Sequence, residues 1–215
     1  MTDSRLSARQ LAIGPIAASM ASGHMSALSA AVNRGLDAGL SIAETKEVLV
    51  QLYAYAGFPR ALNALGELMN VVNERRARGL RDEPGRDAGP VPVGPALLEA
   101  GTANQTQLAG GPVKGPLFEF APAIDRFLKT HLFGDIFVRD NLDWPSRELA
   151  TVAALSALPG VESQLLAHVR ISLHVGLTIG QLSQLADALS ASGDTASSQQ
   201  LNAALAQPTW AATKP

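Results

Sequence analysis

Cysteine is absent from the 215 residues of this chain. Disulfides, cysteine-ligated metal sites and thiol nucleophiles are therefore all excluded. Aromatic residues make up only 5% of the sequence. The β-branched and aromatic residues that favour strands are sparse, whereas alanine and leucine, which favour helices, are abundant. The composition thus predicts an all-α protein.

The chain also lacks an excess of one charge and a long apolar run. Its 17 basic and 19 acidic residues give a formal net charge of -2, whereas a nucleic-acid-binding surface needs clustered basic residues. No stretch approaches the ~20 apolar residues that span a bilayer. The apolar run at 11–21 resembles a secretory signal only weakly, because Gly14 and Pro15 interrupt it. We interpret the run as a helix, and we expect a cytoplasmic protein that binds neither nucleic acid nor membrane.

Three short segments occur twice in the chain, in the same order and at a nearly constant offset. The pairs are residues 9–12 and 147–150, residues 39–42 and 176–179, and residues 62–65 and 201–205. A duplicated helical unit is the simplest explanation. We therefore predict a first repeat at residues 1–78, a linker at 79–116, a second repeat at 117–206 and a tail at 207–215.

Local signals place the helix ends. Gly39 and Gly176 occupy positions where a helix stops in the left-handed conformation. Each is followed by a capping box, Ser41 to Glu44 in one repeat and Thr178 to Gln181 in the other. The predicted helices span residues 7–21, 25–38, 42–56, 60–77, 119–132, 145–157, 162–175, 179–191 and 197–206.

The segment between the repeats has a different composition. Residues 79–116 hold eight of the nineteen glycines and six of the thirteen prolines. Such a composition predicts a linker or long loop, with one short turn at 96–100 as its only candidate for regular structure. Arg75, Arg76 and Arg78, just before it, are expected to form a solvated helix end.

Residues 47–65 resemble the signature of the carboxymuconolactone decarboxylase family, in which a helix ends in Tyr-Ala-Gly-Phe-Pro and the next helix begins. Residues 147–151, 164–168 and 175–178 resemble the first part of the same domain, and 127–143 resembles its tandem branch. The resemblance implies an AhpD-like helical bundle with two such repeats in one chain. It also implies a homo-oligomer, either a trimer or a hexamer-like assembly.

The resemblance implies two candidate catalytic residues. The peroxidase branch of the family uses a Cys-x-x-Cys pair with a His and an upstream Glu, and the matching residues 160–164 contain no sulfur. Thiol-peroxidase activity is therefore predicted to be absent, even though the family carries an antioxidant label. The decarboxylase branch keeps Glu and His without cysteine, which makes Glu148 and His168 the candidate acid–base groups.

Decarboxylation of a carboxy-lactone requires a positioned carboxylate, a carbonyl that accepts the electrons and a general acid that protonates carbon. Arg147, Arg170, Tyr53 and Tyr55 are the candidate substrate-binding residues. We predict a lyase of small cyclic carboxylates or lactones, or a related proton-transfer enzyme, without a cofactor or a metal ion. The alternative is a non-catalytic helical oligomer or small-molecule-binding protein of the same fold.

Each candidate also has a structural alternative. Glu148 would favour the positive end of a helix dipole if it lies in a first turn, and a lone histidine such as His168 is usually a structural core residue. Tyr53 and Tyr55 fit a core or an interface. The first repeat has Ala31 at the position that matches His168, so we predict one composite site rather than two equal ones. No role is assigned to His24, His131 or His174.

Overall fold

The computed structural model describes residues 5–207. Within this range it contains eleven α-helices, one π-helix and no strand, which confirms the all-α prediction. No helix in the range is long and apolar enough to cross a membrane. The helices are α1 (Ala8–Ser22), α2 (Met25–Asp37), α3 (Ile42–Ala56), α4 (Phe58–Ala77), α5 (Pro95–Ala109), α6 (Pro116–Phe120), α7 (Pro122–Phe127), the π-helix (Leu128–Ile136), α8 (Trp144–Ser156), α9 (Glu162–His174), α10 (Ile179–Ala191) and α11 (Thr195–Leu205).

The predicted helix signals of the two repeats are present. Gly39 and Gly176 adopt φ values of 91° and 94°, and both predicted capping boxes form at the starts of α3 and α10. The helix that the sequence places at 7–21 forms as α1 and continues through Pro15. Residue 207 is the only part of the predicted tail that falls within the described range.

The two repeats share one core, at whose centre α1 packs along α8. Each of these helices also packs on the third helix of the other repeat, α1 on α10 and α8 on α3. Small and branched side chains line this contact and are fully or almost fully buried: Ile13, Ile16, Ala17, Leu149, Ala150 and Ala153. The exchange of contacts places residues of the first repeat beside residues of the second, and this arrangement creates the candidate site.

The linker segment is more ordered than its composition predicts. Instead of a short turn at 96–100, it contains the fifteen-residue helix α5. Pro95 at the start of α5 suits a helix N-terminus, where no backbone donor is needed, and Gly110 ends the helix with a φ of 76°. Gly101 lies where α5 crosses the π-helix, because a Cβ there would be 1.7 Å from the Lys129 carbonyl oxygen.

Residues 79–94, which we call the strap, are held against the first repeat. The backbone N–H groups of Ile42 and Ala43 donate to the carbonyls of Glu83 and Pro84 at 2.9 and 3.0 Å. Arg75 donates to Asp82 at 2.8–3.1 Å and to Asp37 at 2.8 Å. The prediction of a solvated arginine was therefore wrong for Arg75, which is only 5% exposed.

The single helix predicted at 119–132 is replaced by α6, α7 and the π-helix. Pro122 explains the first break, because the residue before a proline avoids the helical conformation, and Ala121 has φ -128° and ψ 70°. The π-helix then turns the chain so that Leu132, Phe133, Ile136 and Phe137 form a second apolar cluster with Leu108 of α5.

Candidate functional site

Glu148 and His168 lie together at the interface of α8 and α9. The imidazole Nδ1 of His168 is 2.8 Å from Oε2 of Glu148. The glutamate side chain is completely buried, whereas the histidine side chain is 10% exposed. Glu148 is the fifth residue of α8 and no acidic residue lies in the first turn of that helix, so the helix-dipole explanation for it was wrong.

The pairing fixes the orientation of the imidazole. A carboxylate that is bound to one ring nitrogen sets the tautomer and leaves the other nitrogen available for proton transfer. Within residues 5–207, Nε2 of His168 forms no hydrogen bond. The pair therefore has the geometry of a general acid–base group whose carboxylate would stabilise the protonated ring.

Tyr55 of the first repeat lies beside this Glu148–His168 pair. Its ring meets that of His168 edge-on, with centroids 5.4 Å apart at 79°. Its hydroxyl oxygen is buried and has no partner within hydrogen-bond distance among the described residues. The nearby Thr151 hydroxyl, which lowers the pKa of Tyr55, already donates to the Arg147 carbonyl and accepts from Gln51. Burial, followed by the negative charge of Glu148, raises the pKa of Tyr55 far above its usual value. The phenol therefore stays protonated, which suits a donor rather than a base.

Arg147 is completely buried, but most of its guanidinium is already bound. It donates to Glu47 at 2.8 Å, to the side chain of Gln51 at 3.0 Å and to the carbonyl of Arg139 at 2.8 Å. Its Nε is the nitrogen without a partner in the described range. This network joins α8 to α3 and thereby fixes the two helices that carry Glu148 and Tyr55.

Glu47 is the carboxylate of this network and is only 1% exposed. It accepts from Arg139 at 2.9 and 3.0 Å, from Asn141 at 3.1 Å and from Arg147. Burial on its own would raise the pKa of Glu47, but the hydrogen bonds and charges of the two arginines outweigh burial and lower it. The carboxylate is therefore ionised in the folded protein, and it neutralises part of the buried positive charge.

Two other predicted site residues lie elsewhere. Arg170 is an exposed residue of α9, and it makes no ion pair with Glu148 in the described range. Tyr53 stacks on Phe58 at 4.4 Å and meets His131 edge-on at 5.5 Å. The structure thus brings together Glu148, His168 and Tyr55, with Arg147 in the adjoining network.

No role was predicted for His131, but its side chain has a carboxylate partner. Its Nδ1 is 2.7 Å from Asp135, one turn along the π-helix, and its Nε2 is buried without a partner in the described range. The spacing of four residues between a His and an Asp is the only sequence signal for this pair. The other histidine of α9, His174, packs on the end of α5, where a Cβ at Gly110 would be 2.3 Å from it.

The second apolar cluster closes one side of the site. Tyr53 and Tyr55 pack against it, as do Ile171 and Val175 of α9. Four surface cavities have volumes of about 630, 400, 460 and 300 Å³, and none of these four is lined by Glu148 or His168. Among residues 5–207, no group of three or more His, Asp or Glu side chains is arranged to hold a metal ion.

Comparison with known proteins agrees with this architecture. A sequence model of the Carboxymuconolactone decarboxylase family matches residues 1–68 and 122–208. The two matched segments cover most of the two repeats and leave out the strap and α5. A search of curated proteins found no match. The chain belongs to the carboxymuconolactone decarboxylase family, as a two-repeat member without the cysteine pair of its peroxidase branch.

Proposed function

We propose that this member of the carboxymuconolactone decarboxylase family is an acid–base enzyme that acts on a small carbonyl compound such as a lactone. His168 exchanges a proton with substrate carbon through Nε2, and Glu148 orients the ring and stabilises its protonated form. The observation that carries the proposal is the buried hydrogen bond of 2.8 Å between the two side chains, which leaves the second ring nitrogen without a partner among residues 5–207.

With these groups, every bond, electron pair and proton of a decarboxylation can be accounted for. The bond between the carboxylate carbon and the ring breaks, CO2 leaves, and the electron pair passes into the carbonyl to form an enolate. Protonated His168 then delivers its proton to carbon and the carbonyl reforms. In an isomerisation, neutral His168 first removes the proton, and the same enolate is formed.

The two repeats contribute to one site. Tyr55 comes from the first repeat, and Glu148 and His168 come from the second. In the related place of the first repeat, Gln10 occupies the position of Glu148 and forms the capping box of α1, and Ala31 replaces His168. These replacements support the prediction of a single composite site, with Tyr55 rather than Tyr53 as the contributing aromatic residue.

Binding of a substrate carboxylate was predicted for Arg147 and Arg170. We propose that Arg147 contributes through Nε, the nitrogen that the buried network leaves without a partner in the described range. A contact with Arg170 requires a substrate that extends to the exposed face of α9. The proposal includes a cytoplasmic location and no cofactor.

The test is turnover of carboxymuconolactone and a panel of related lactones, measured as CO2 release and as exchange of carbon-bound hydrogen in D2O. We expect His168→Asn and Glu148→Gln each to lower kcat/KM by about 10²–10⁴-fold, the usual contribution of a general acid–base group. His174→Asn, on the same helix, is the matched control and should retain activity. Wild-type protein that neither releases CO2 nor exchanges hydrogen with any compound would contradict the enzymatic proposal.

A non-catalytic role is the second candidate, and the exposed apolar surface favours it. Phe58, Leu62 and Met69 on α4 are 61–64% exposed, and such a surface suits assembly with further copies of the chain. Assembly and catalysis are compatible, so the homo-oligomer is part of both proposals. Equal ligand binding by wild type and by His168→Asn, without turnover, would favour this second candidate.

A further inference from the structure

Besides Nε of Arg147, three buried oxygen atoms around the site have no hydrogen-bond partner among residues 5–207. They are the hydroxyl oxygens of Tyr55 and Ser172 and the Oε1 atom of Glu148. A buried polar group without a partner destabilises the folded protein, and native proteins usually satisfy such groups with protein, water or ligand. Three of them in one region therefore need an explanation.

The three atoms come from three helices that meet at His168. Tyr55 on α3 touches the imidazole ring edge-on, and Glu148 on α8 binds its Nδ1. Ser172 is completely buried on α9, four residues after His168, and this spacing places it one turn away on the same face. Both hydroxyls thus lie on the site side of their helices.

The chemistry of the two hydroxyls differs from that of the carboxylate. An ionised glutamate only accepts hydrogen bonds, whereas a phenol and an alcohol can donate. Burial and the charge of Glu148 raise the pKa of Tyr55, so its hydroxyl carries a proton at any working pH. The site therefore offers two neutral donors, one on a ring that meets the imidazole edge-on and one a helical turn from His168 on the same face.

We propose that Tyr55 and Ser172 are catalytic residues that donate hydrogen bonds to the carbonyl oxygen of the substrate and stabilise the enolate oxygen that forms from it. This inference rests on the proposed function and specifies the ligand: a planar carbonyl compound or enol whose oxygen gains negative charge. The natural mimic of that state is a phenolate, which presents a charged oxygen on a flat ring.

The hydroxyls make the proton transfer feasible without themselves changing protonation state. As His168 takes the carbon-bound proton, the electron pair of the broken C–H bond forms the carbon–carbon double bond of the enolate. The carbonyl oxygen acquires the negative charge and accepts hydrogen bonds from both hydroxyls. When the proton returns to carbon, the carbonyl reforms and both hydroxyls keep their own protons.

The first experiment measures binding and needs no turnover. The probe is 4-nitrophenolate, titrated into the full-length protein and followed by its absorbance, with Tyr55→Phe, Ser172→Ala and the control Ser163→Ala. Ser163 is an exposed serine on the same helix as Ser172. A hydrogen bond to a charged partner is worth roughly 1.5–3 kcal/mol, so we expect each site variant to bind about 10- to 100-fold more weakly. Ser163→Ala should bind like wild type.

The second experiment measures hydrogen exchange of the lactone panel in D2O with the same variants. Loss of one such donor typically lowers kcat about 10²–10³-fold, with the thermal midpoint close to that of wild type. Wild type that exchanges hydrogen while both site variants stay within twofold of it overturns this inference and leaves the proposed function intact. Wild type that binds no phenolate also overturns it, whereas phenolate binding lost in both variants supports it even without turnover.

Discussion

Glu47 is a buried carboxylate of the first repeat that pairs with arginines of the second. Glu47 joins α3 to Arg139 and to Arg147 of α8, so one carboxylate accepts from both arginines across the contact between the repeats. Removing one partner of a buried ion pair leaves the other charge uncompensated, which costs more than the pair contributes. The same carboxylate therefore contributes to how the stability of the protein depends on pH.

We expect Glu47→Gln to lower the free energy of unfolding at pH 7 by about 3–5 kcal/mol. The pKa of Glu47 is lower in the folded than in the unfolded chain, so its stabilisation is complete above the unfolded value and is lost as the pH falls through the folded one. In urea unfolding between pH 7 and pH 3, the free energy of unfolding of the variant should fall less steeply with decreasing pH than that of wild type. Glu119→Gln, at an exposed position, should follow wild type. If the free energy of unfolding falls equally steeply with pH in wild type and in Glu47→Gln, Glu47 does not contribute to the acid dependence of stability.

At the residue scale, the sequence predicted Glu148, His168 and Tyr55 because their spacing matches a family pattern. It did not predict Ser172, because the sequence around a helical serine does not show that its hydroxyl is buried without a partner in the part of the chain that the structure describes. It also misassigned Arg75, since the acidic partner Asp82 follows the helix in a segment expected to be a loop. Long-range contacts decide both cases, and neither composition nor periodicity encodes them.

At the scale of elements, α5 shows how a glycine-containing segment becomes a helix. Gly101 has a low intrinsic helix propensity, but it permits α5 to cross the π-helix at close range. The intrinsic preference counted against a helix at 95–109, and tertiary packing reversed it. The π-helix could not be predicted either, because its wider i→i+5 turns leave no signature in the residue pattern; it packs against α5.

We predict that Gly101→Ala destabilises the protein although alanine is the better helix former. The added Cβ would lie 1.7 Å from the Lys129 carbonyl oxygen, and overpacking of this kind costs about 1–3 kcal/mol. Gly66→Ala on α4, where no atom lies within 4 Å of the added Cβ, is the matched control and should stabilise by up to about 1 kcal/mol.

Thermal unfolding measures the stability of both variants, and hydrogen exchange of the backbone amides shows which helices are destabilised. Faster exchange in α5 and the π-helix of Gly101→Ala is the expected pattern, because the second apolar cluster depends on their contact. Gly101→Ala with the stability of wild type would show that α5 does not need the close crossing. Activity should fall with the loss of this cluster, since Tyr55 packs against it.

At the scale of the whole molecule, apolar surface remains uncovered in this chain of 22.4 kDa. Two regions contribute to it: α4, with Leu62 and Met69 64% and 61% exposed, and the short helices α6 and α7, with Phe120 and Phe127 89% and 61% exposed. Apolar side chains grouped on one element mark interaction surfaces more often than scattered ones do. In the predicted homo-oligomer, the apolar face of α4 would pack against another copy of the same chain.

We expect Leu62→Glu combined with Met69→Glu to shift the protein from an oligomer to a monomer in light scattering coupled to size exclusion. The introduced carboxylates would be buried without partners in an assembled interface, which disfavours association, whereas in the monomer they stay in water. Asn63→Glu combined with Asn70→Glu, at exposed neighbouring positions of α4, adds the same two charges and should leave the assembly unchanged. A wild-type protein that elutes as a monomer, or a double variant that stays assembled, would show that α4 is not the contact surface.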